Sequence, residues 1–286
     1  MNGVNNHPIF PFPYLECFII ICVYLLSDCL SFLFLLITYN INSSFLTSIM
    51  NNLICVPTGK ILHDMMLKNK VNIKKFFDRF DIRGLELTMA KKDRIYDLKL
   101  SKEDNVWIKD LDYVSIHGPF KIVNETKQEQ IKMLDKLYQL YDQVNAKNML
   151  FHVHECPYDL IDNYSWDIII ENMPKVEHLN NIKMSNLIAK NKYGFCLDTA
   201  HAFTNGKNEI ERLYTLLETK LKQIHLSAAY YGDDHYKLST ATNSFTKSLK
   251  PILKSNVPLI LEINKINWNN KTEVNNEIKY VKKLFS

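Results

Sequence analysis

The feature that most constrains this chain is a series of histidine and acidic side chains, each at the end of a short apolar run or just beyond it. Nine such residues include five of the nine histidines in the chain: His117, His152, Glu171, Asp198, His201, His225, Asp233, His235 and Glu262. Side chains from successive strand ends converge only when the strands are parallel and form a ring. Nine nitrogen and oxygen ligands are too many for one divalent ion and suit about three. The series therefore predicts a multi-metal hydrolytic site.

From residue 50 onward, apolar runs alternate with amphipathic stretches, which indicates βα units and a parallel sheet. The runs are continuously apolar, as is typical of strands that are covered on both faces. Amphipathic helices are predicted at 127–145 and 271–285, among others. Such units have the size of a compact (β/α)8 TIM barrel, whose active sites lie at the carboxyl ends of the strands. Eight strands are predicted, near 52–56, 82–88, 112–117, 148–153, 167–172, 193–198, 221–226 and 258–263.

The composition is that of a globular protein with one large domain or two small ones. The chain has 286 residues, of which 47% are hydrophobic and 23% are charged. Residues 1–49 hold two of the 31 acids and none of the 35 basic residues, so residues 50–286 carry a net charge of +6 (35 − 29). This mild excess suits an anionic substrate without requiring one. The six cysteines show no paired spacing, which favours a reducing compartment, and we expect the cytoplasm.

Residues 1–49 form a hydrophobic segment ahead of the predicted catalytic barrel of residues 50–286. Residues 17–38 are long enough to cross a bilayer, and no basic region precedes them as it would in a secretory signal. One interpretation is a membrane anchor: basic residues begin only at Lys60, which would place the barrel in the cytoplasm, although Asp28 within the span is costly. The other interpretation is a mis-assigned start, with translation beginning at Met50.

Two acids stand inside apolar runs, Glu171 in IIIENMP and Glu262 in LILEIN. A single buried glutamate can instead be half of a structural ion pair. Two glutamates at the same level of the barrel as Asp198 and His225 favour metal ligation, because each buried charge needs a partner. Imidazole and carboxylate ligands suit Zn²⁺, Mn²⁺ or Fe²⁺.

Two short motifs have simpler alternatives. Asp198 and His201 form D-x-x-H after an apolar strand, a pattern that also describes a helix-capping aspartate followed by an exposed histidine. Asp233 and His235 form D-x-H just after Gly232, which gives the backbone freedom to chelate an ion. The alternative there is a solvated polar loop.

A third ambiguity concerns the segment FHVHE. His152 and His154 point to the same face of one predicted strand. We predict His152 as the ligand and keep His154 as the alternate.

These motifs resemble those of endonuclease IV, the family-2 apurinic/apyrimidinic (AP) endonucleases, within the xylose isomerase-like TIM barrel superfamily. The resemblance covers about residues 50–286. CLDTAHAF is nearly identical to the sixth-strand signature of that family, and all nine metal-ligand positions carry the expected residue type. The other matching segments are SIHGPF, LFH, IIIENMP, HLS, DDH and LILEI.

The resemblance implies a metal-dependent hydrolase, with three zinc ions or with Mn²⁺ or Mg²⁺ instead, that cleaves DNA 5′ to abasic sites in base excision repair. It implies that the abasic nucleotide is flipped out of the duplex. Glu171 and Glu262 are the candidate catalytic residues. The implied ligands are His117, His152 and Glu171 for the first ion, Glu171, Asp198, His225 and Glu262 for the second, and His201, Asp233 and His235 for the third.

The chain also departs from the family around the predicted site. Its first strand ends in CVPTGK where endonuclease IV has a His–Val–Ser–Ala run, and an aromatic position of the family is occupied by phenylalanine rather than tyrosine. Basic residues follow the second strand where the family has a DNA-penetrating loop. The candidate DNA-binding residues are Phe120, Lys121, Lys91, Lys92 and Arg94.

The alternative function is a sugar or sugar-phosphate isomerase or epimerase of the same superfamily. Such enzymes share the central Glu, Asp, His and Glu, and in them two glutamates would move a proton while the metal binds substrate oxygens. They do not need His201, Asp233 and His235, so these three residues favour the nuclease. We expect a monomer that acts on DNA containing abasic sites; no protein partner is implied.

Overall fold

The computed structural model describes residues 53–68, 71–174, 184–189, 192–230 and 233–286. Parallel strands close into a barrel in the order β1, β10, β7, β6, β5, β4, β3, β2. This confirms the predicted (β/α)8 TIM barrel, and each barrel strand lies where the sequence places one. The barrel strands are β1 (Ile54–Pro57), β2 (Gly84–Thr88), β3 (Tyr113–His117), β4 (Asn148–His152), β5 (Ile168–Glu171), β6 (Gly194–Asp198), β7 (Leu221–His225) and β10 (Leu259–Ile260).

A short antiparallel hairpin follows β7 and was not predicted. Its strands are β8 (Ala228–Tyr230) and β9 (Asp233–Tyr236). Because the hairpin leaves the carboxyl end of a barrel strand, it extends the rim on which the predicted site lies. The D-x-H motif is part of β9, and His235 has a left-handed backbone with φ of 60°.

Helices follow the strands and cover the outside of the barrel. The two helices predicted by their amphipathic pattern are confirmed as α5 and α10. The helices have the bounds α1 (Gly59–Leu67), α2 (Ile73–Phe77), α3 (Lys92–Asp97), α4 (Lys102–Lys109), α5 (Lys127–Val144), α6 (Tyr158–Ile161), α7 (Thr199–Asn205), α8 (Glu209–Leu217), α9 (Asn243–Ser248) and α10 (Lys271–Leu284).

Polar residues at the helix ends explain several of these bounds. Helix α4 begins with a capping box, in which the Ser101 hydroxyl accepts from the backbone N–H of Asp104 and the Asp104 side chain reaches back. The Thr126 side chain caps α5 by accepting from the backbone N–H of Glu129, and α5 is followed by Asn145, whose left-handed φ of 53° suits an asparagine. Local sequence therefore sets where these helices begin and end.

Side-chain alternation along the strands sorts residues between the barrel interior and the surrounding helices. In β4, Met149 and Phe151 belong to the large core between strands and helices, whereas Leu150 belongs to a small interior cluster with Ile169 and Cys196. Extending this alternation by one step puts polar residues at the interior carboxyl ends of the strands. The predicted ligands thus occupy inward positions because their spacing matches the pleat.

None of the helices in the described ranges has the length and apolar character needed to cross a membrane. The predicted segment of residues 17–38, like the rest of residues 1–49, lies outside the described residues.

Candidate metal centre

Seven of the nine predicted ligands are buried together at the carboxyl ends of the barrel strands, and Glu262 joins them with 26% of its side chain exposed. Their ligand atoms form three overlapping groups in which every atom lies within 4.8 Å of the others. Histidines and carboxylates at this density, away from water, are compatible with bound cations and costly without them. The groups are His117, His152 and Glu171; Glu171, Asp198, His225 and Glu262; and Asp198, His201 and His235.

In the first group two imidazoles face the same carboxylate oxygen. The Nε2 atoms of His117 and His152 lie 3.5 and 3.4 Å from Oε2 of Glu171. Nδ1 of His117 donates to the carbonyl oxygen of Gly118 over 2.9 Å, and Nδ1 of His152 lies 2.9 Å from Glu155. A neutral imidazole that donates from Nδ1 has a lone pair on Nε2, so both rings present a ligand atom to the same point.

The second group is distinguished by ligand atoms without hydrogen-bond partners. Among the described residues these include both oxygens of Glu171, Oδ2 of Asp198, Nδ1 of His225 and Oε2 of Glu262. The last two lie only 2.8 Å apart. Buried polar atoms are normally satisfied, and an exception calls for an explanation such as an ion. Five such atoms on four convergent side chains fit a divalent cation.

The third group lies where helix α7 meets the β9 hairpin. Nδ1 of His201 donates to the carbonyl oxygen of Asn172 over 3.0 Å, and Nδ1 of His235 lies 3.0 Å from the carbonyl oxygen of Glu262. Both rings therefore direct Nε2 toward the centre. Oδ1 of Asp198 accepts from the backbone N–H of His201 over 2.6 Å, so this aspartate caps α7 as well as joining the group.

Asp233 is the predicted ligand that the structure does not bring into any of the three groups. Its side chain is 54% exposed, accepts from the Tyr236 hydroxyl over 2.5 Å and pairs with Lys265 at 3.5 Å. Its neighbour Asp234 lies 3.7 Å from Nε2 of His235 and 3.8 Å from Nε2 of His201. Alternation along β9 separates Asp233 from Asp234, and the left-handed backbone of His235 breaks the alternation that would otherwise put His235 on the face of Asp233. The spacing of D-x-H does not reveal this break.

The choice between the two histidines of FHVHE is also visible. His152 belongs to the first group, whereas His154 is 35% exposed and approaches Glu155 at 3.6 Å. His154 therefore does not take the ligand position in this structure.

Interactions with buried acidic groups raise the pKa values of four histidines of the site, His152, His201, His225 and His235. Burial opposes the charged form of His152, but the carboxylates of Glu171 and Glu155 outweigh it and raise its pKa to about 9. Burial likewise opposes protonation of His201, and Asp198 with Glu171 raises its pKa to about 10. Without metal, these imidazoles supply the positive charge that the carboxylates need.

The candidate DNA-binding residues divide into two sets. Phe120 is 45% exposed at the rim and stacks on His152, with ring centroids 5.0 Å apart, and Lys121 beside it is exposed. Arg94 is buried and donates to the carbonyl oxygen of Thr88 over 3.2 Å, which leaves it unsuited to contact DNA.

The other two basic residues lie at the beginning of α3. Lys92 pairs with Glu125 at 3.2 Å and Glu129 at 2.9 Å, so its charge is largely compensated. Lys91 is exposed at the N-cap of the helix. The structure therefore brings Phe120 next to the metal ligands but gives these residues no common basic surface.

Two buried acids at the site were missed in the sequence. Glu155 has its carboxylate against His152 and accepts from the backbone N–H of Lys121 over 3.1 Å. Glu86 lies inside the barrel with its Oε2 3.1 Å from Nε2 of His225. The segment GLELT carries the same signal as LILEI, an acid in an apolar strand, and could have indicated Glu86. FHVHE gives no comparable signal for Glu155.

Solved structures of low sequence identity share this fold. The crystal structure of AsfvAP:AG matches with a TM-score of 0.54 and 17% identity, over 77% of this chain and 91% of that chain. Endonuclease IV from Thermus thermophilus matches with a TM-score of 0.54 and 12% identity, over 80% and 98%. A xylose isomerase domain containing protein from Salmonella typhimurium has a TM-score of 0.51 and 14% identity, over 82% and 97%.

No protein-family model matches the sequence, and no curated protein matches it. At these identities the structural likeness shows the fold alone, a (β/α)8 TIM barrel that these proteins share. The fold and the buried clusters together define a barrel of this type whose histidines and carboxylates could hold metal ions.

The raised pKa values predict that zinc affinity depends on pH. Zinc must displace a proton from His152 and from His201, so affinity should rise with pH until about 9 to 10. The expected slope is about tenfold per pH unit for each proton displaced. Chelator competition between about pH 6.5 and 8.5 measures it, and a flat profile would contradict the buried, carboxylate-bound histidines described above.

Whereas zinc affinity should rise with pH, the stability of the metal-free chain should fall. A histidine whose pKa is raised in the fold stabilises it fully below the unfolded value of about 6.5, and this contribution is lost as pH rises through about 9 to 10. The midpoint temperature of thermal unfolding, measured after a chelator has removed metal, should therefore fall across that range. Added zinc should remove most of the decline, because the ion replaces the lost positive charge.

The aspartates of β9 provide a further test of the third group. We expect Asp234→Asn to weaken zinc binding by about 10- to 100-fold, as the loss of a supporting or ligating carboxylate does. Asp233→Asn is the matched control and should leave affinity within about twofold, because its side chain contacts Tyr236 and Lys265. If a zinc titration shows a larger loss of affinity for Asp233→Asn than for Asp234→Asn, Asp233 is the ligand.

Proposed function

We propose that the chain is a metal-dependent phosphodiesterase of the endonuclease IV type, which cleaves DNA on the 5′ side of abasic sites with three zinc ions. The observation that carries the proposal is the third group. His201 and His235 lie next to Asp198 with their ring nitrogens converging, beyond the four side chains that an isomerase of this superfamily would use. A second and a third ion position beside the first suit a phosphate better than a sugar carbonyl.

The proposed ligands follow the three groups. The first ion is assigned to His117, His152 and Glu171, and the second to Glu171, Asp198, His225 and Glu262. The third is assigned to His201, His235 and an aspartate of β9, for which the geometry favours Asp234. When bound, zinc ions in such a site polarise the phosphate and make water a nucleophile near neutral pH.

Glu171 has the position that connects the groups. Its Oε2 faces His117 and His152, while Oε1 lies 3.4 Å from His225 and 3.5 Å from His201. The two oxygens of this one carboxylate would therefore be available to two neighbouring ions. Glu262 is more exposed than the others and faces the opening, which suits a residue that meets the substrate.

Phe120 supplies an apolar surface at the mouth of the site. It stacks on His152 and lies edge-on to His117, so one face of the ring is held against the ligands while 45% of the residue stays exposed. An abasic nucleotide leaves a gap in the duplex stack, and an exposed aromatic ring can fill such a gap. Lys121 beside it is available to a phosphate.

One observation favours the sugar or sugar-phosphate isomerase as the alternative. Arg94 is buried and Lys92 is paired with two glutamates, so two of the three basic residues predicted to contact DNA after β2 are not available to do so. A small substrate would not need them. In that case Glu171 and Glu262 would move the proton between adjacent carbons.

Incubation of the full-length protein with a duplex that carries a single abasic-site analogue tests the proposal. We expect a single nick 5′ to the lesion, no cleavage of the undamaged duplex, and loss of activity with chelator that zinc restores. Metal analysis of the same sample should give about three zinc ions per chain. One ion, no nicking and turnover of a ketose would instead support the isomerase.

A pair of histidine variants separates catalysis from folding. His201→Ala should lower nicking by more than about 100-fold while retaining the barrel, because removal of a ligand should cost more than removal of an outer partner. His63→Ala is the matched control, since His63 lies on helix α1 away from the three groups. Unchanged nicking by His201→Ala would refute the role of the third group.

A further inference from the structure

Glu86 is a buried acid that the proposed function leaves unused. It belongs to β2 and is 1% exposed, inside the barrel beneath the metal ligands. Its Oε2 accepts from the Ser115 hydroxyl over 3.0 Å and from the Gln223 amide over 2.9 Å, and lies 3.1 Å from Nε2 of His225. A charge buried this deeply has to be compensated, so its contacts define its role.

His225 stands between Glu86 and the metal ligands, with one ring nitrogen directed to each. Nδ1 lies 3.4 Å from Glu171 and 2.8 Å from Glu262, while Nε2 faces Glu86. If Nε2 carries the proton, it donates to Glu86 and Nδ1 presents a lone pair to the second group. The opposite tautomer would point a proton at the ion position and leave Glu86 with one donor fewer.

A chain of hydrogen bonds holds Glu86 in this orientation. Asn148 donates to the Tyr113 hydroxyl over 2.6 Å, and that hydroxyl donates to Oε1 of Gln223 over 2.7 Å. With its oxygen occupied, Gln223 must direct its amide N–H toward Glu86. The Gln223 amide lies 3.0 Å from Nε2 of His225 as well, but Nε2 is a donor in the tautomer that Glu86 selects. All four residues are buried, so water does not compete for these contacts.

We propose that Glu86 is a positioning residue, whose carboxylate accepts from Nε2 of His225 and thereby fixes the ring so that Nδ1 binds the second metal ion. This rests on the metal centre of the proposed function but not on its substrate, and it holds equally for a nuclease or an isomerase. Carboxylates behind metal-binding histidines orient the ring and raise its basicity, and their loss typically costs 10- to 100-fold in metal affinity.

The test is zinc affinity of the full-length protein, measured by chelator competition, together with thermal unfolding with and without zinc. Glu86→Leu removes the acceptor at similar volume and should weaken binding of one zinc by about 10- to 100-fold. Glu86→Gln keeps the shape and an oxygen acceptor, so its zinc affinity should lie between those of the wild-type chain and Glu86→Leu. Ser115→Ala is the matched control, because Ser115 donates to the same oxygen without touching His225.

A double-mutant cycle distinguishes positioning from general stabilisation. In the His225→Ala background, Glu86→Gln should cause no further loss of zinc affinity, since its effect acts through the absent ring. The proposal is overturned if Glu86→Gln and Glu86→Leu keep wild-type affinity, or if they lower the thermal midpoint equally with and without zinc. It is also overturned if the wild-type chain binds no zinc. A wild-type chain that binds zinc but does not nick abasic DNA refutes the nuclease alone.

Discussion

The architecture of the site depends on how three carboxylates are compensated at the mouth of the barrel. Glu171 and Asp198 end the neighbouring strands β5 and β6, and Glu262 follows β10. Each of the three has at least one oxygen without a hydrogen-bond partner among the described residues. Burial favours the neutral acid at Glu171, yet His225 and His152 hold its pKa well below the ordinary range. The negative charge therefore persists, and either protonated imidazoles or cations must balance it.

The histidines share one arrangement that suits them to binding cations. Each directs one ring nitrogen into the site and places the other within hydrogen-bond distance of an oxygen acceptor behind it. The acceptors differ: carbonyl oxygens serve His117, His201 and His235, whereas carboxylates serve His152 and His225. A carboxylate makes the ring a stronger ligand than a carbonyl does. The two rings backed by carboxylates stand on either side of Glu171, where the charge is most concentrated.

The barrel and the convergence of most candidate ligands could be predicted from the sequence because both follow from the same periodicity. Continuous apolar runs mark the strands, and an acid or histidine at the end of such a run faces inward by simple alternation. Glu171, Asp198 and His225 are of this kind, and the structure confirms that they lie together.

The remaining features of the site depend on tertiary contacts that the local sequence pattern does not encode. The β9 hairpin turns Asp233 outward and Asp234 inward, although both belong to one short motif. Arg94 looks like a surface residue in the sequence but is buried beside the end of β2. Glu155 becomes visible only when the chain after β4 folds back against His152.

The same fold-back links the rim to the candidate metal ligands. Glu155 contacts His152 with one oxygen and accepts from the backbone N–H of Lys121 with the other, and Phe120 lies flat on the His152 ring. Lys121 has a left-handed backbone with φ of 61°, which costs about 1 to 2 kcal/mol and has to be held by contacts such as this one. The loop of Phe120 and Lys121, which would meet the substrate, and His152, which would bind metal, thus contact each other directly and through Glu155. If the rim meets the substrate as proposed, displacement of Phe120 would remove a ring contact from His152, the candidate ligand that Glu155 also contacts.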